Sequence, residues 1–394
     1  MHHIDDEQRR IRLGRRHLLA RSLRASSVVK VADAVVALHA TDAATVYLST
    51  CARLSEPNVE TVERALYEDV SLVRLLSMRN TLFAMSTDAA RFVDASHARA
   101  VAAKERRTFL KHLREDGKGL DEHWLAEVER GTLTVLDERG RATGSELSAV
   151  VPSLRTKITV FPGTRQETVQ GVASRVIRLL AADGRIRRDR PRGAWTSSQF
   201  PTPWPAADPA EARTEVARRW LFSYGPATEA DLKWWTGWGV RETRQALAAV
   251  TAEEVSLDSG ASGWVVPGDL APVPPPEPWA ALLPGLDPSA MGWTDRAFHL
   301  RADHRGALFD RAGNVGPTVW WNGTIVGGWA QRADGELVWR LLSDVGREAV
   351  RHIEQEAAGL SAWVGGARVT PRFRTPLERE LTAGTARPTG RRFT

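Results

Sequence analysis

At 394 residues, with 42% hydrophobic and 26% charged residues, the chain has the composition of globular domains and length for two to three of them, which excludes disorder on a large scale. The net charge is +6 and arginine far outnumbers lysine, which fits either a GC-rich coding sequence or a polyanionic partner whose phosphates match the arginine fork. Cys51 is the only cysteine, so no disulfide and no cysteine-rich zinc site can form within the chain. The N-terminal stretch lacks the apolar core of a secretion signal, and no run reaches the roughly 18 apolar residues of a membrane helix, so a cytoplasmic location without a membrane is expected.

Residues 6–24 read as an amphipathic helix with Leu13, Leu18 and Leu19 inward and its arginines outward. Apolar residues at near-helical spacing continue over 28–54, interrupted at Thr41 and Asp42, whose side-chain oxygens can cap a new helix. His39, Ala40, Thr41 and Asp42 therefore fall at a junction between two helices, where polar side chains can face a cleft. Helix is expected near 60–67, strand in Thr-Leu-Phe-Ala-Met at 81–85, and helices from Ser86-Thr87-Asp88 through 130. Residues 143–160 open on an N-cap signal and end in a β-like run.

The spacing of Val169, Val172, Val176, Ile177 and Leu180 predicts a helix over 166–183. Behind it, Ile186 and Trp195 fall on two short strands around a basic loop holding Arg185, Arg187, Arg188, Arg190 and Arg192. Helix, glycine and basic hairpin together outline a winged helix. The arginines then probe phosphates or the minor groove; otherwise the loop is only a solvated surface. Residues 209–250 repeat the theme with three helices, the second capped at Thr228, followed by two strands.

From 258 the character changes: the proline-rich stretch 272–279 is a stiff connector. Strands follow, with hairpin turns at Asn322-Gly323 and Asp334-Gly335, then a helix at 344–358 and a final strand at 367–373. The expected organisation is α+β. It comprises a helical winged-helix region over 1–125 holding the candidate site, a winged helix with the basic hairpin over 126–205, a third such unit over 206–257, and a β-rich domain over 258–394.

No nucleotide-hydrolase phosphate loop, dinucleotide fingerprint, zincin motif or serine elbow appears. His299, Asp303 and His304 imitate a metal cluster but read as a structural hydrogen-bonding group, and neither metal nor cofactor is expected. Trp234, Trp235, Trp320, Trp321 and Trp329 read as core residues rather than base-stacking platforms. At the junction, an imidazole or carboxylate can take a proton from water while a hydroxyl directs it. A helix cap beside a satisfied core histidine uses the same residues, and the residue pattern leaves both open.

Five blocks stand in order along nearly the whole chain: LVRLLSMRNTLFAM (72–85), TGSELSAVVP (143–152), YGPATEADLKWWTG (224–237), LLPGLDPSAMGWTDR (282–296) and LFDRAGNVGPTVWWNGTIVGGW (308–329). In these the chain resembles the AlkZ-like (YcaQ-like) winged-helix DNA glycosylases, which excise alkylated purines and unhook interstrand crosslinks. The resemblance implies tandem winged helices braced by a C-terminal β-barrel-like domain around a concave DNA channel. It also implies a monofunctional, cofactor-free, monomeric glycosylase of base excision repair, acting on double-stranded DNA.

Where that family carries Gln-x-Gln or Gln-x-Asp, this chain reads His39-Ala40-Thr41, and Asp42 matches the Asp that often follows; the framework ALHATDAATVYLSTCARL (37–54) otherwise fits. His39, Thr41 and Asp42 are therefore the catalytic candidates. Arg79 and Thr81 match the family's Arg-Gly-Thr segment, with Asn80 at the Gly, and Arg155 and Lys157 on an expected hairpin join the basic-loop arginines as DNA-contact candidates. The resulting expectation is hydrolysis of the N-glycosidic bond of N7- or N3-alkylated, bulky purines in an open cleft, serving self-resistance to a DNA-alkylating natural product. The rival reading is a non-catalytic winged-helix DNA-binding protein, a regulator or a lesion shield.

Overall fold

Helices and short antiparallel strands alternate in the computed structural model, which describes residues 1–190, 193–197 and 207–383. The chain divides into two units: Met1–Val62 with Phe83–Ser86 and Thr214–Thr394, and Glu63–Leu82 with Thr87–Arg213. The α+β expectation is met.

The first unit is organised by buried polar contacts as much as by its apolar core. Helix Asp6–Arg16 starts where Asp5 accepts a hydrogen bond from the Gln8 amide. Its arginines do not all face outward: Arg9 and Arg12 are buried. Arg12 donates to the carbonyls of Asp269 (3.1 Å) and Ala271 (2.9 Å), Arg16 grips the Asp269 carboxylate, and Gln8 brackets Val273. A proline-rich segment offers carbonyls and few amides, so donors must come to it, and the first helix supplies them.

Helix Ala43–Cys51 carries the central constraint. Thr45, Ser49 and Arg53 recur every four residues, one helical face continued just past its end. Thr45 donates to the Gly285 carbonyl at 2.9 Å, and Ser49 donates to Asp287 at 2.6 Å. Arg53 is wholly buried and all five of its N–H donors are used: on the His17 and Ser49 carbonyls, on both oxygens of Asp287, and on the Ser289 hydroxyl. Asp287 in turn caps helix Pro288–Met291. Burial works against its ionisation, but the Arg53 guanidinium and the hydrogen bonds from Ser49 and the Ser289 amide outweigh it and hold the carboxyl below the usual range.

The C-terminal sheet is antiparallel in the order Ala280–Leu283, Thr318–Trp321, Thr324–Gln331, Leu337–Leu341. Asn322 and Gly323 both take positive φ, 44° and 83°, as a two-residue turn between twisted strands requires. The expected barrel is not formed: among the described residues the sheet is open, its first and last strands pairing on one side only. One face is closed instead by helix Gly346–Val364, whose Ile353, Ala357 and Leu360 pack on Leu282, Val319, Val326 and Trp329. The strand expected at 367–373 is absent as well. Pro371 cannot donate to a ladder, and the Val369 and Arg372 amides bond to the side chains of Gln331 and Asp42.

In the second unit, helices Arg99–Glu115, Glu122–Arg139, Gly144–Val150 and Ala173–Ala182 share one core that includes Phe109, Leu113, Leu125, Leu136, Val176 and Leu180. Thr143 and Glu146 form a full capping box, so the N-cap signal was legible. The helix expected from 166 starts only at Ala173. Thr168–Gly171 pairs as a strand with Lys157–Val160, and Val169, counted on the helix face, is 64% exposed. Ile186–Arg188 and Trp195–Ser197 pair as the expected short hairpin.

Replacing Asp287 with Ala strands a buried guanidinium and should cost about 3–5 kcal/mol in denaturant unfolding at unchanged m-value. A loss below about 1 kcal/mol would mean that the pair does not organise this unit. Burial and the nearby Arg53 charge push the His17 imidazole down to about 3 from 6.5, so in that window the unfolded chain holds a proton that the native state refuses. Stability should therefore fall as pH drops through 6.5 towards 3, and His17→Gln should flatten the dependence of Tm on pH over that range.

Candidate active site

His39, Thr41 and Asp42 lie together in the first unit, on the link between two supported elements. Leu38–His39 is a two-residue strand paired with Phe83 and Ala84, and Asp42 is the N-cap of helix Ala43–Cys51. A strand, and not the second helix expected from spacing, thus precedes the motif. Val35 and Val36 end the preceding helix, with Val36 at φ 63°, and turn the chain into the strand. His39 is 7% exposed, its ring 5.0 Å from that of Phe83, which in turn sits 6.2 Å from Trp235. Ala40 is buried, whereas Thr41 and Asp42 are half-buried.

Both carboxylate oxygens of Asp42 take backbone amides: Oδ1 from Ala44 at 3.1 Å and Oδ2 from Arg372 at 2.9 Å. The Arg372 guanidinium donates to the Thr41 carbonyl at 3.3 Å. The carboxylate is therefore fixed in direction, at a helix end where negative charge is favoured. Beside it lies a narrow crevice, lined among others by Asp42, Thr45, Gly285, Trp329, Gln331 and Pro371. Sequence reasoning passed over Arg372, which stands 330 residues from its partner Asp42 and belongs to no local pattern.

The DNA-contact candidates all fall in the second unit. Arg79 and Asn80 both adopt left-handed backbone, φ 52° and 56°, in a turn closed by the Ser77 amide on the Thr81 carbonyl. Asn tolerates that conformation better than most residues, which suits Asn80 to this turn. Asn80 also bridges Glu105 and Arg178. Burial lowers the Arg79 pKa to about 10, which leaves it a cation at neutral pH. Thr81 is half-buried in the same turn; Arg155 and Lys157 are exposed.

In the basic hairpin, Arg185 and Arg190 are exposed, Arg185 lying 3.8 Å from Glu129. Arg187 donates to the Tyr67 carbonyl at 3.2 Å, and Arg188 lies over the Trp195 ring at 4.2 Å. These last two are partly committed to the fold. Arg192 lies outside the described residues. Trp235, Trp320 and Trp329 are buried, and Trp234 and Trp321 half-buried. His299 is buried and stacks on Trp320 at 5.4 Å; burial and then the Arg296 charge push its pKa well down. Among the described residues no three His, Cys, Asp or Glu side chains group closely enough to hold a metal ion, and no helix is long and apolar enough to cross a membrane.

A family model described as DNA glycosylase AlkZ-like matches residues 32–363. The chain is 25% identical over 344 residues, 83% of its length and 88% of the relative's, to an interstrand DNA cross-link repair glycosylase of Streptomyces sahachiroi. Its fold is similar to the solved structure of the Streptomyces sahachiroi DNA glycosylase AlkZ, with a TM-score of 0.68 and 24% identity over 92% of this chain and 97% of that one. The class is thereby defined as a DNA glycosylase, an enzyme of DNA repair that cleaves the bond between base and sugar. The resemblance carried by the sequence blocks holds, and the chain belongs to the AlkZ-like DNA glycosylase family.

The cap and the charge of Asp42 separate by mutation. Asp42→Ala should cost about 1 kcal/mol of stability through the lost cap, and Asp42→Asn less, since its single amide oxygen can keep the capping bond from Ala44 although its NH2 then faces the Arg372 amide. Thermal unfolding of both variants checks this, and equal losses would show that the capping bond contributes nothing.

Proposed function

We propose that the enzyme hydrolyses the N-glycosidic bond of N7- or N3-alkylated purines in duplex DNA, with His39, Thr41 and Asp42 as its catalytic group. The observation that carries this is the placement of the three residues. They share one short junction, at the family's motif position, on a strand and a helix cap whose backbones are fixed by pairing. An alkylated purine of this kind already bears positive charge and leaves without a strong acid. What remains is to stabilise the oxocarbenium-like sugar and to position water. The Asp42 carboxylate, aimed by two amides, stabilises the cation. His39 accepts the proton of the attacking water, and Thr41 holds that water in line.

An open cleft that admits bulky adducts, in place of a closed pocket for a flipped base, is proposed on the family relationship alone. The named activity of the Streptomyces sahachiroi relative supports extending the substrate to interstrand crosslinks. Self-resistance to a DNA-alkylating natural product is proposed on that relationship and on the changed motif.

DNA is gripped, in this proposal, by tandem winged helices of a monomer. What supports them is a repeated composition. Helices Glu122–Arg139, Gly144–Val150 and Ala173–Ala182 precede the hairpin of Ile186–Arg188 and Trp195–Ser197. Helices Pro209–Tyr224, Glu229–Thr236 and Val240–Val250 precede that of Glu253–Leu257 and Ser262–Val265. The division into 1–125, 126–205, 206–257 and 258–394 is proposed on the same ground. Arg79, Thr81, Arg155, Lys157, Arg185, Arg187, Arg188, Arg190 and Arg192 are the proposed contacts.

Single-turnover excision on duplexes with 7-methylguanine or a bulky N7-guanine adduct tests the chemistry. Wild type should release the free modified base, and His39→Ala and Asp42→Asn should each slow release by about 100-fold or more, the usual scale for a positioned acid–base or electrostatic group. Full rates in both variants would remove these residues from the mechanism. For the grip, Arg190→Ala should flatten the log Kd against log salt slope by about 0.9, and an unchanged slope would mean that Arg190 is only a surface charge.

A further inference from the structure

The segment 365–375 runs from the helix that covers the sheet to the candidate motif, and its three arginines are used differently. Arg368 donates to the carbonyls of Ala333, Asp334, Gly366 and Ala367. Arg374 is tied to Glu378 by two bonds, 2.6 and 3.0 Å, and to the Thr382 hydroxyl. Both serve the fold. Arg372 is exposed. Its backbone amide holds Asp42, and among the described residues its guanidinium makes one hydrogen bond, to the Thr41 carbonyl, and no ion pair. Among the described residues four of its five donors are therefore unused.

What approaches this spot in a glycosylase is a DNA strand. Its sugar must reach the motif, and its nearest phosphate must then lie a few ångströms from the same place. A phosphate there would face the Asp42 carboxylate and be repelled unless a cation stood between them. Arginine suits this, because its planar fork binds phosphate oxygens in pairs. Arg372 also lies beyond residues 32–363, the stretch that the family model matches.

We infer that Arg372 is a phosphate-binding residue of the active centre, holding the backbone phosphate next to the nucleotide that is excised. The inference rests on the proposed assignment of His39, Thr41 and Asp42. One residue then does two things: its main chain aims the carboxylate and its side chain docks the strand against it. Substituting the side chain removes the second role and leaves the first, since the amide on Asp42 is retained.

The test is binding of a 7-methylguanine duplex by anisotropy over a salt series, with single methylphosphonates neutralising chosen phosphates. Arg372→Ala should lower the salt slope by about 0.9, and Arg372→Lys should restore it. Neutralising a phosphate adjacent to the modified nucleotide should lower the wild-type slope equally and leave Arg372→Ala unaffected. Phosphates half a duplex turn away should add to the Arg372→Ala effect. An unchanged slope in Arg372→Ala, or additivity at both phosphates flanking the lesion, overturns the inference. Non-additivity at the lesion in an enzyme whose His39→Ala and Asp42→Asn variants keep full excision rates supports the contact and overturns only the assignment of those residues.

Discussion

Arg53 brings five N–H donors into a place without water, and each must be met or the fold loses the desolvation cost of an unpaired charge. They are met by elements far apart in sequence: His17 at the end of the first helix, Ser49 on the motif helix, and Asp287 and Ser289 in the segment leading out of the sheet. Thr45 on Gly285 continues the same seam toward the N-terminus of the motif helix. Asp42 stands one residue before that helix begins. The carboxylate is thus located by a chain of fixed contacts, anchored by a buried ion pair at one end and by the amides of Ala44 and Arg372 at the other. Catalysis by field requires such fixity, because a charge free to relax toward solvent stabilises nothing in the transition state.

This gives a physical meaning to two blocks that carried the family resemblance. Within ALHATDAATVYLSTCARL, the residues Thr45, Ser49 and Arg53 are the helix side of the seam. Within LLPGLDPSAMGWTDR, the residues Gly285, Asp287 and Ser289 are its other side. Neither half is interpretable alone. A lone arginine after a helix reads as surface, and a lone Asp before a proline reads as a cap, which Asp287 also is.

Local chemistry was legible where it is written in adjacent residues. Thr143 with Glu146, Thr228 with Asp231, Asp42 and Asn322-Gly323 all do what their types favour at those spacings. The helix start at Asp42 could be read for the same reason, whereas the strand Leu38–His39 before it, where a helix was expected, depends on its distant partners Phe83 and Ala84. What spacing misjudged depends on partners elsewhere. Val169 fits a helical face, but the Phe161–Thr164 turn and the pairing of Thr168–Gly171 with Lys157–Val160 draw it into a hairpin. Arg9 and Arg12 looked solvated because nothing nearby announces that a proline-rich segment some 260 residues on will need donors. The sheet stays open because a helix, and not a closing strand, covers its apolar face. Arg372 was invisible for the same reason.

Where the resemblance implies a glutamine pair, this chain holds an imidazole and a hydroxyl beside the Asp42 carboxylate. In the proposed mechanism this carboxylate stabilises a developing positive charge on the sugar. Its most direct test compares binding to two duplexes, one with a cationic pyrrolidine abasic analogue and one with the neutral tetrahydrofuran analogue at the same position. Wild type should prefer the cationic duplex by about tenfold or more, worth roughly 1.4 kcal/mol, and Asp42→Asn should bind both alike. No preference in wild type, or a preference that survives in Asp42→Asn, would contradict the claim.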